Sequence, residues 1–336
     1  MEIAKALVLA GGAPHGQPWP SVRSTPKPLV PVANRPLLFH DLDALRAAGV
    51  LEATIAVEPD TAGAIRAAVG DGTDWRMAIR YAECATHVPL EQALALSRDF
   101  LAQEPVLVQH AGALLRDRIH PHIAAFAGER LDALALRTHG AFELGNAEGE
   151  HGAAAQDSSL LLSQLAVSIL VQATTGADPI LSVREAGGQV RVQEVDGCLP
   201  CLGVQESLLE ANRRMLQALT PSFDPASLID VRVQGPVVID PTAHVERSVV
   251  RGPAIIGPRA RIVDSYIGPS TSIGADVDIE GAAIEYSIVL PGAQLSFPGS
   301  RLEESVIGRG ARVRRVFELP SALRVAIGEG AEIVLS

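Results

Sequence analysis

The segment "VVIDPTAHVERSVVRGPAIIGPRARI", residues 237 to 262, contains one short form twice, at 237–245 and again at 254–262. Each copy runs aliphatic, Gly or Asp, two loop residues, a small residue, any residue, aliphatic. The form returns in "SYIGPSTSI" (265–273), "SIVLPGAQL" (287–295), "SVIGRGARV" (305–313) and "VAIGEGAEI" (325–333). Hexapeptide spacing of this kind puts one aliphatic inside on each flat face of a triangular coil, with Gly, Pro and small residues at its corners. A sandwich with Gly/Pro turns every 8 to 12 residues is the competing reading. Six copies within about a hundred residues favour a left-handed parallel β-helix.

Towards the N-terminus the period changes. "KALVLA" (5–10) is a short apolar run ending in Gly-Gly, the pattern of a buried parallel strand. "PLLFHDLDALRAAGV" follows with Leu38, Leu42, Leu45 and Ala48 at helical spacing and Gly49 as its stop. "EATIAVEP", "MAIRYAE" and "PVLVQHAG" read as further strands, separated by the helices "TAGAIRAAVG" and "LEQALALSRDFL". Short alternation of strand and helix predicts a doubly wound α/β sheet. Residues 139–159, rich in Gly, Ala and acids, read as a surface insertion. "QVRVQEVDG" resumes strand character and "ESLLEANRRMLQAL" is an amphipathic helix. The expected organisation is an α/β domain over 1–220, a linker over 221–232 and the β-helix over 233–336.

Composition bounds the function. The chain has 336 residues, and its net charge of −11 argues against a nucleic-acid partner or an anionic membrane surface. No run of 18 apolar residues suggests a membrane span, and the start lacks signal-peptide features. Three cysteines make no disulfide framework, so a cytoplasmic setting is expected. Cys198 and Cys201 form a C-x-x-C, but zinc would need a second pair and only Cys84 is left. Lys5 and Lys27 are the only lysines.

"LVLAGG" (7–12), "TPKPLVPVANRPLLFH" (25–40), "VDG" before the helix "LLEANRRML", and the hexapeptide coil together resemble the sugar-1-phosphate nucleotidyltransferases, in particular long-form glucose-1-phosphate thymidylyltransferase. The likeness is weak over 139–190. It implies a Rossmann-like nucleotidyltransferase domain that joins a nucleoside triphosphate to a sugar-1-phosphate, with Mg²⁺ held by two Asp. It also implies an Arg in the glycine loop, the Lys of P-K-P-L and a later Lys.

Carried over residue by residue, the resemblance places Leu9, Ala10, Gly11, Gly12 and Lys27 at the nucleotide site. A missing Cβ at the glycines lets backbone N–H groups reach phosphate oxygens. Gln17 stands nearest the loop Arg position, where Pro14, Pro18 and Pro20 remove donors. His110 or Ala111 falls where the first metal carboxylate is implied, and Cys201 where the second is. Cys84 takes the position of the base-reading Gln, and Glu91 that of a glycine. No lysine follows Lys27.

Mg²⁺ prefers hard oxygen ligands, which neither His nor Cys provides. One lost oxyanion-type donor costs about 3 kcal/mol, and a lost metal several more. The expectation is therefore a degenerate homologue, a pseudoenzyme with a binding, regulatory or scaffolding role in sugar-nucleotide metabolism, with no cofactor. The alternative is an active transferase using Mg²⁺ through rearranged acids, with Asp117 and Asp196 as candidates. Acyl transfer by the coil is a third reading, with His244 its single repeat histidine. Expected partners are a second copy through the coil, an active nucleotidyltransferase subunit, and a nucleotide or sugar phosphate. Val289, Phe297, Val306 and Phe317 are the expected exposed apolar face for self-association.

Overall fold

A computed structural model of the chain describes residues 3–11, 25–84, 88–101, 104–115, 118–138, 157–173, 176–198 and 205–315. β1 (Lys5–Ala10) is buried along its whole length, as its unbroken apolar run requires. A 3₁₀ turn at Lys27–Leu29 leads into the small hairpin β2 (Pro31–Val32) and β3 (Arg35–Pro36). The hairpin tip is Ala33-Asn34, both at positive φ of 48° and 61°, the geometry of a two-residue primed turn. Next come α1 (Leu37–Ala47), β4 (Glu52–Val57), α2 (Pro59–Val69) and β5 (Ala78–Glu83). α1 ends where Gly49 takes a φ of 95°.

The expected helix over 90–101 is two helices, α3 (Leu90–Leu96) and α4 (Arg98–Leu101), because Ser97 leaves helical geometry at φ −95°, ψ 7°. β6 (Val106–His110), β7 (Leu114–Leu115), α5 (His120–Gly128) and β8 (Ala133–Thr138) follow. The stretch expected as an insertion lies outside the described residues except at its end, where β9 (Asp157–Leu162) begins. Then come α6 (Gln164–Leu170), α7 (Pro179–Glu185), β10 (Val190–Val195), β11 (Gly197–Cys198) and α8 (Gln205–Gln217). The main sheet has the order β10-β8-β9-β6-β1-β4-β5. It is parallel apart from β9, which runs antiparallel to β6 and β8. Among the described residues, no helix is long and apolar enough to cross a membrane.

Residues 221–232 carry an isolated bridge between Ser222 and Val238, a 3₁₀ turn at Pro225–Ser227 and the start of β12 (Leu228–Gln234). Thirteen short strands then stack in parallel: β13 (Val237–Ile239), β14 (His244–Arg251), β15 (Ala254–Ile256), β16 (Arg261–Val263), β17 (Tyr266–Ile267), β18 (Thr271–Ile273), β19 (Asp278–Glu280), β20 (Ala283–Glu285), β21 (Ile288–Val289), β22 (Gln294–Ser296), β23 (Leu302–Glu303), β24 (Val306–Ile307) and β25 (Arg312–Arg314). One face of the coil is β13-β15-β18-β21-β24, and the others join at the long strand β14.

Register makes the repeat physical. Ile239, Ile256, Ile273, Val289 and Ile307 form one column. Val245, Ile262, Ile279 and Leu295 form a second, and Val250, Ile267, Ile284 and Leu302 a third. Val289 therefore points into the coil at 1% exposure and does not belong to an apolar outer face. Val306 is half-buried against α8, Phe297 is exposed, and Phe317 lies outside the described residues, as does the repeat at 325–333.

Candidate functional site

The order of the main sheet reverses at β1: β4 and β5 lie on one side of it and β6 on the other. In open α/β sheets the crevice beyond the carboxyl ends at such a switch point is where ligands bind. β1 delivers Leu9, Ala10 and Gly11 there, and β6 delivers His110, paired in register with Leu9. The Ala111 N–H donates to the Leu9 carbonyl at 3.0 Å, which ties the exit of β6 to the end of β1. Gly12 and Gln17 lie outside the described residues.

The turn after β6 is held from below by a buried carboxyl. Asp41 in α1 is 1% exposed, and one oxygen accepts the Gly112 N–H at 2.6 Å while the other accepts from the Gln109 amide at 3.1 Å. Gln109 also donates to the Ala113 carbonyl at 3.0 Å and accepts from the Ser159 hydroxyl at 2.5 Å. Gly112 has a φ of 87°, a conformation that favours glycine, and it sits against the Leu37 side chain of α1. Burial pushes the Asp41 carboxyl up to about 8, against the opposing pull of the Gly112 N–H, the Gln109 amide and the Lys27 charge.

Lys27 opens the 3₁₀ turn, and the next residue, Pro28, is buried. The Lys27 charge is felt at His110 as well as at Asp41. Burial first, and Lys27 second, hold the half-buried His110 imidazole down at about 4, so it is neutral at pH 7. The described end of the crevice thus combines the charge of Lys27 with a neutral imidazole. That combination suits an anion, since a neutral imidazole can donate a hydrogen bond and the lysine supplies charge.

The remaining candidates fall elsewhere or into other roles. Cys84 is 3% exposed and packs with Leu9, Ala56 and Leu94, so its thiol belongs to the core under the sheet. Glu91 is 8% exposed, and its carboxylate accepts the Gly176 N–H at 3.2 Å. Asp196 is exposed and pairs with Arg214 at 3.3 Å. β11 pairs antiparallel with β7, which brings Gly197 and Cys198 beside Leu114 and Leu115, just past the β6 turn. Asp117 and Cys201 lie outside the described residues. His244 is exposed and faces Glu246 at 3.2 Å.

The family resemblance implies Mg²⁺, and the described donors do not fit it. Mg²⁺ wants hard oxygens in a near-octahedral set. Where β1 and β6 end, the implied carboxylate position holds His110 or Ala111, while both Asp41 oxygens already take N–H bonds beneath the turn. Among the described residues, no group of three His, Cys, Asp or Glu side chains is placed to hold a metal ion.

Sequence reasoning missed Asp41 and, in the packing between α8 and the coil, Asn212. Both lie on the apolar stripes of their helices, Asp41 with Leu38, Leu42 and Leu45, and Asn212 with Leu208, Ala211 and Leu216. A polar residue on an apolar stripe was the available signal.

Comparison with known proteins agrees with this architecture. The profile of the family described as Nucleotidyl transferase matches residues 5–143. A glucose-1-phosphate thymidylyltransferase of Streptomyces griseus is 33% identical over 99% of both chains. A protein of the same name from Streptomyces antibioticus is 30% identical, covering 98% of this chain and 99% of its own. A solved Bacillus anthracis structure, named as a candidate glucose-1-phosphate thymidylyltransferase in complex with sucrose, superposes with a TM-score of 0.54. It is 18% identical, covers 65% of this chain and 97% of its own, and speaks to the fold alone.

Proposed function

The chain belongs to the nucleotidyl transferase family, and from that premise we propose that the ends of β1 and β6 bind a phosphorylated sugar or nucleotide, with nucleotidyl transfer slow or absent. The observation that carries this reading is the side-chain set at the switch point: Lys27 acting on a neutral His110 where the resemblance implies a metal-binding carboxylate. A fold and a family fix where a ligand sits, while the chemistry belongs to the side chains that meet it. Lys27 supplies the charge that draws a phosphate, Gly11 lets backbone approach it, and His110 offers a donor without adding charge. Transfer further requires stabilisation of charge on the α-phosphoryl group, each donor for which is worth about 3 kcal/mol. The sequence has no lysine after Lys27 to share that role.

A second reading, an active sugar-1-phosphate nucleotidyltransferase, is the one favoured by the full-length likeness to proteins named glucose-1-phosphate thymidylyltransferase. In it the metal would be held through rearranged acids, with Asp117 and Asp196 as candidates. A coupled pyrophosphate-release assay with each nucleoside triphosphate, glucose-1-phosphate and Mg²⁺ separates the two. The binding reading expects turnover below about 0.01 s⁻¹, and turnover of about 1 s⁻¹ or more, the ordinary enzyme range, establishes the transferase instead.

A further inference from the structure

The coil is not merely attached to the α/β sheet; it grips the segment that carries Lys27. α8 lies on the face β13-β15-β18-β21-β24, and Ile288 and Leu290 of that face pack with Leu208 and Ala211 of α8 and with Val30, Val32, Leu37 and Leu114. At the centre is Asn212, fully buried. Its amide oxygen accepts from the Ala33 N–H at 2.9 Å and from the Ser272 hydroxyl at 2.9 Å. Its amide nitrogen donates to the Ser270 carbonyl at 3.2 Å. One side chain thus joins the tip of the β2–β3 hairpin, the helix and the coil, and the two donors on one atom with a carbonyl on the other settle which way the amide points. A second bond runs directly across: the Asn34 amide donates to the Ile273 carbonyl at 2.6 Å.

The hairpin begins four positions after Lys27, and backbone bonds run from one to the other. The Val30 N–H donates to the Lys27 carbonyl at 3.1 Å, and the Leu37 N–H donates to the Val30 carbonyl at 3.0 Å. A short stretch rich in proline (Pro26, Pro28, Pro31, Pro36) transmits displacement rather than absorbing it, because each ring fixes φ. We propose that Asn212 and Asn34 are positioning residues through which the coil sets the Lys27 turn, so that ligand occupancy at the strand ends and seating of the coil are coupled. The link to ligand rests on the binding reading above; the link to the turn does not. Coupling of this kind is reciprocal, so each site must report the state of the other.

The test uses the full chain and Asn34→Gly. Glycine accepts the φ of 61° at the hairpin tip, so the turn is kept and only the bond to Ile273 is lost. Asn212→Ala, which removes all three central bonds, is the stronger companion. Hydrogen exchange followed by mass spectrometry on peptides covering 26–34 is expected to accelerate about tenfold or more in Asn34→Gly. Affinity for glucose-1-phosphate by calorimetry is expected to fall by about three- to tenfold, with the melting temperature little changed. In the parent, saturating glucose-1-phosphate is expected to slow exchange at 270–290. Unchanged exchange at 26–34 in both variants overturns the grip on the turn. Faster exchange with unchanged affinity overturns the coupling to ligand while leaving the binding reading standing. Absence of any binding by the parent, with faster exchange in the variants, defeats the binding reading and the coupling together.

Discussion

The coil and the crevice of the α/β sheet use their polar side chains differently. In the coil the charged ones pair on the surface one turn apart, Arg247 with Asp264 at 2.8 Å, Arg259 with Asp276 at 2.6 Å and Arg261 with Asp278 at 2.8 Å, each pair separated by 17 residues. The buried ones there are mostly hydroxyls such as Ser248, Ser265 and Ser287, each accepting a backbone N–H of the next turn. Beneath the crevice a carboxyl itself is buried: Asp41, Gln109 and Ser159 lie inside, linked through Gln109, and hold the turn after β6. The coil's fold is fixed by aliphatic columns and needs none of its surface charges individually. The sheet's crevice is fixed by a few buried groups with no substitutes, and there a single change alters geometry.

That contrast can be broken most forcefully from within the coil. Ile262 is fully buried in its column, and Ile262→Asp introduces a charge with no partner there. The expected loss is about 4 kcal/mol or more by denaturant unfolding, with the main sheet outlasting the coil. Equal loss of signal from both halves at one midpoint would instead show that neither stands alone.

Asp41→Ala leaves the Gly112 N–H and the Gln109 amide without their acceptor, an expected cost of about 2–4 kcal/mol. Asp41→Asn sharpens the point through pH. The folded carboxyl sits near 8, above its ordinary value near 4, so its contribution is complete at acid pH and is lost as pH rises through about 8. The parent should therefore lose stability relative to Asp41→Asn between pH 5 and 8, read as unfolding midpoints across that range.

His110 acts in the reverse direction. Its folded imidazole is held near 4, below the ordinary 6.5, so its contribution is present above pH 6.5 and lost as pH falls through about 4. His110→Gln is expected to flatten the acid limb by about 1–2 kcal/mol, measured as the difference in stability between pH 7 and pH 4. The smallest effect belongs to the outer ladder. Arg259→Ala removes an exposed pair, and no resolvable shift in melting temperature is expected, because such pairs are screened and entropically costly to hold.

How much was legible follows the same division. The repeats of "AIIGPRARI" type dictated the aliphatic columns because each coil contact is set by local spacing, and Val289 was misread only because its neighbours look equally apolar. The strands at 5–10, 52–57, 78–83 and 106–110 were legible as apolar runs. The antiparallel insertion of β9 was not, since pairing partners are chosen by contacts far along the chain. Lys27, Gly11 and His110 could be named from the resemblance; His110 pairs in register with Leu9 beside the start of the glycine loop, and the charge of Lys27 acts on it. Cys84 and Glu91, named in the same way, turn to the core and to the Gly176 backbone. Asp41 and Asn212 matter through partners 71 and 179 residues distant, which no local pattern encodes.

The most direct measurement is a calorimetric titration of glucose-1-phosphate, in EDTA, into the parent and into Lys27→Ala. Among the described residues, Lys27 is the cation whose charge acts on His110, so the binding reading makes an anion seated there depend on it. Saturable binding by the parent without added metal, weakened about tenfold or more in Lys27→Ala, is the expected result. Binding of equal strength in both proteins, or heat of binding that appears only when Mg²⁺ is supplied, would contradict a strand-end site in which lysine and imidazole receive the phosphate.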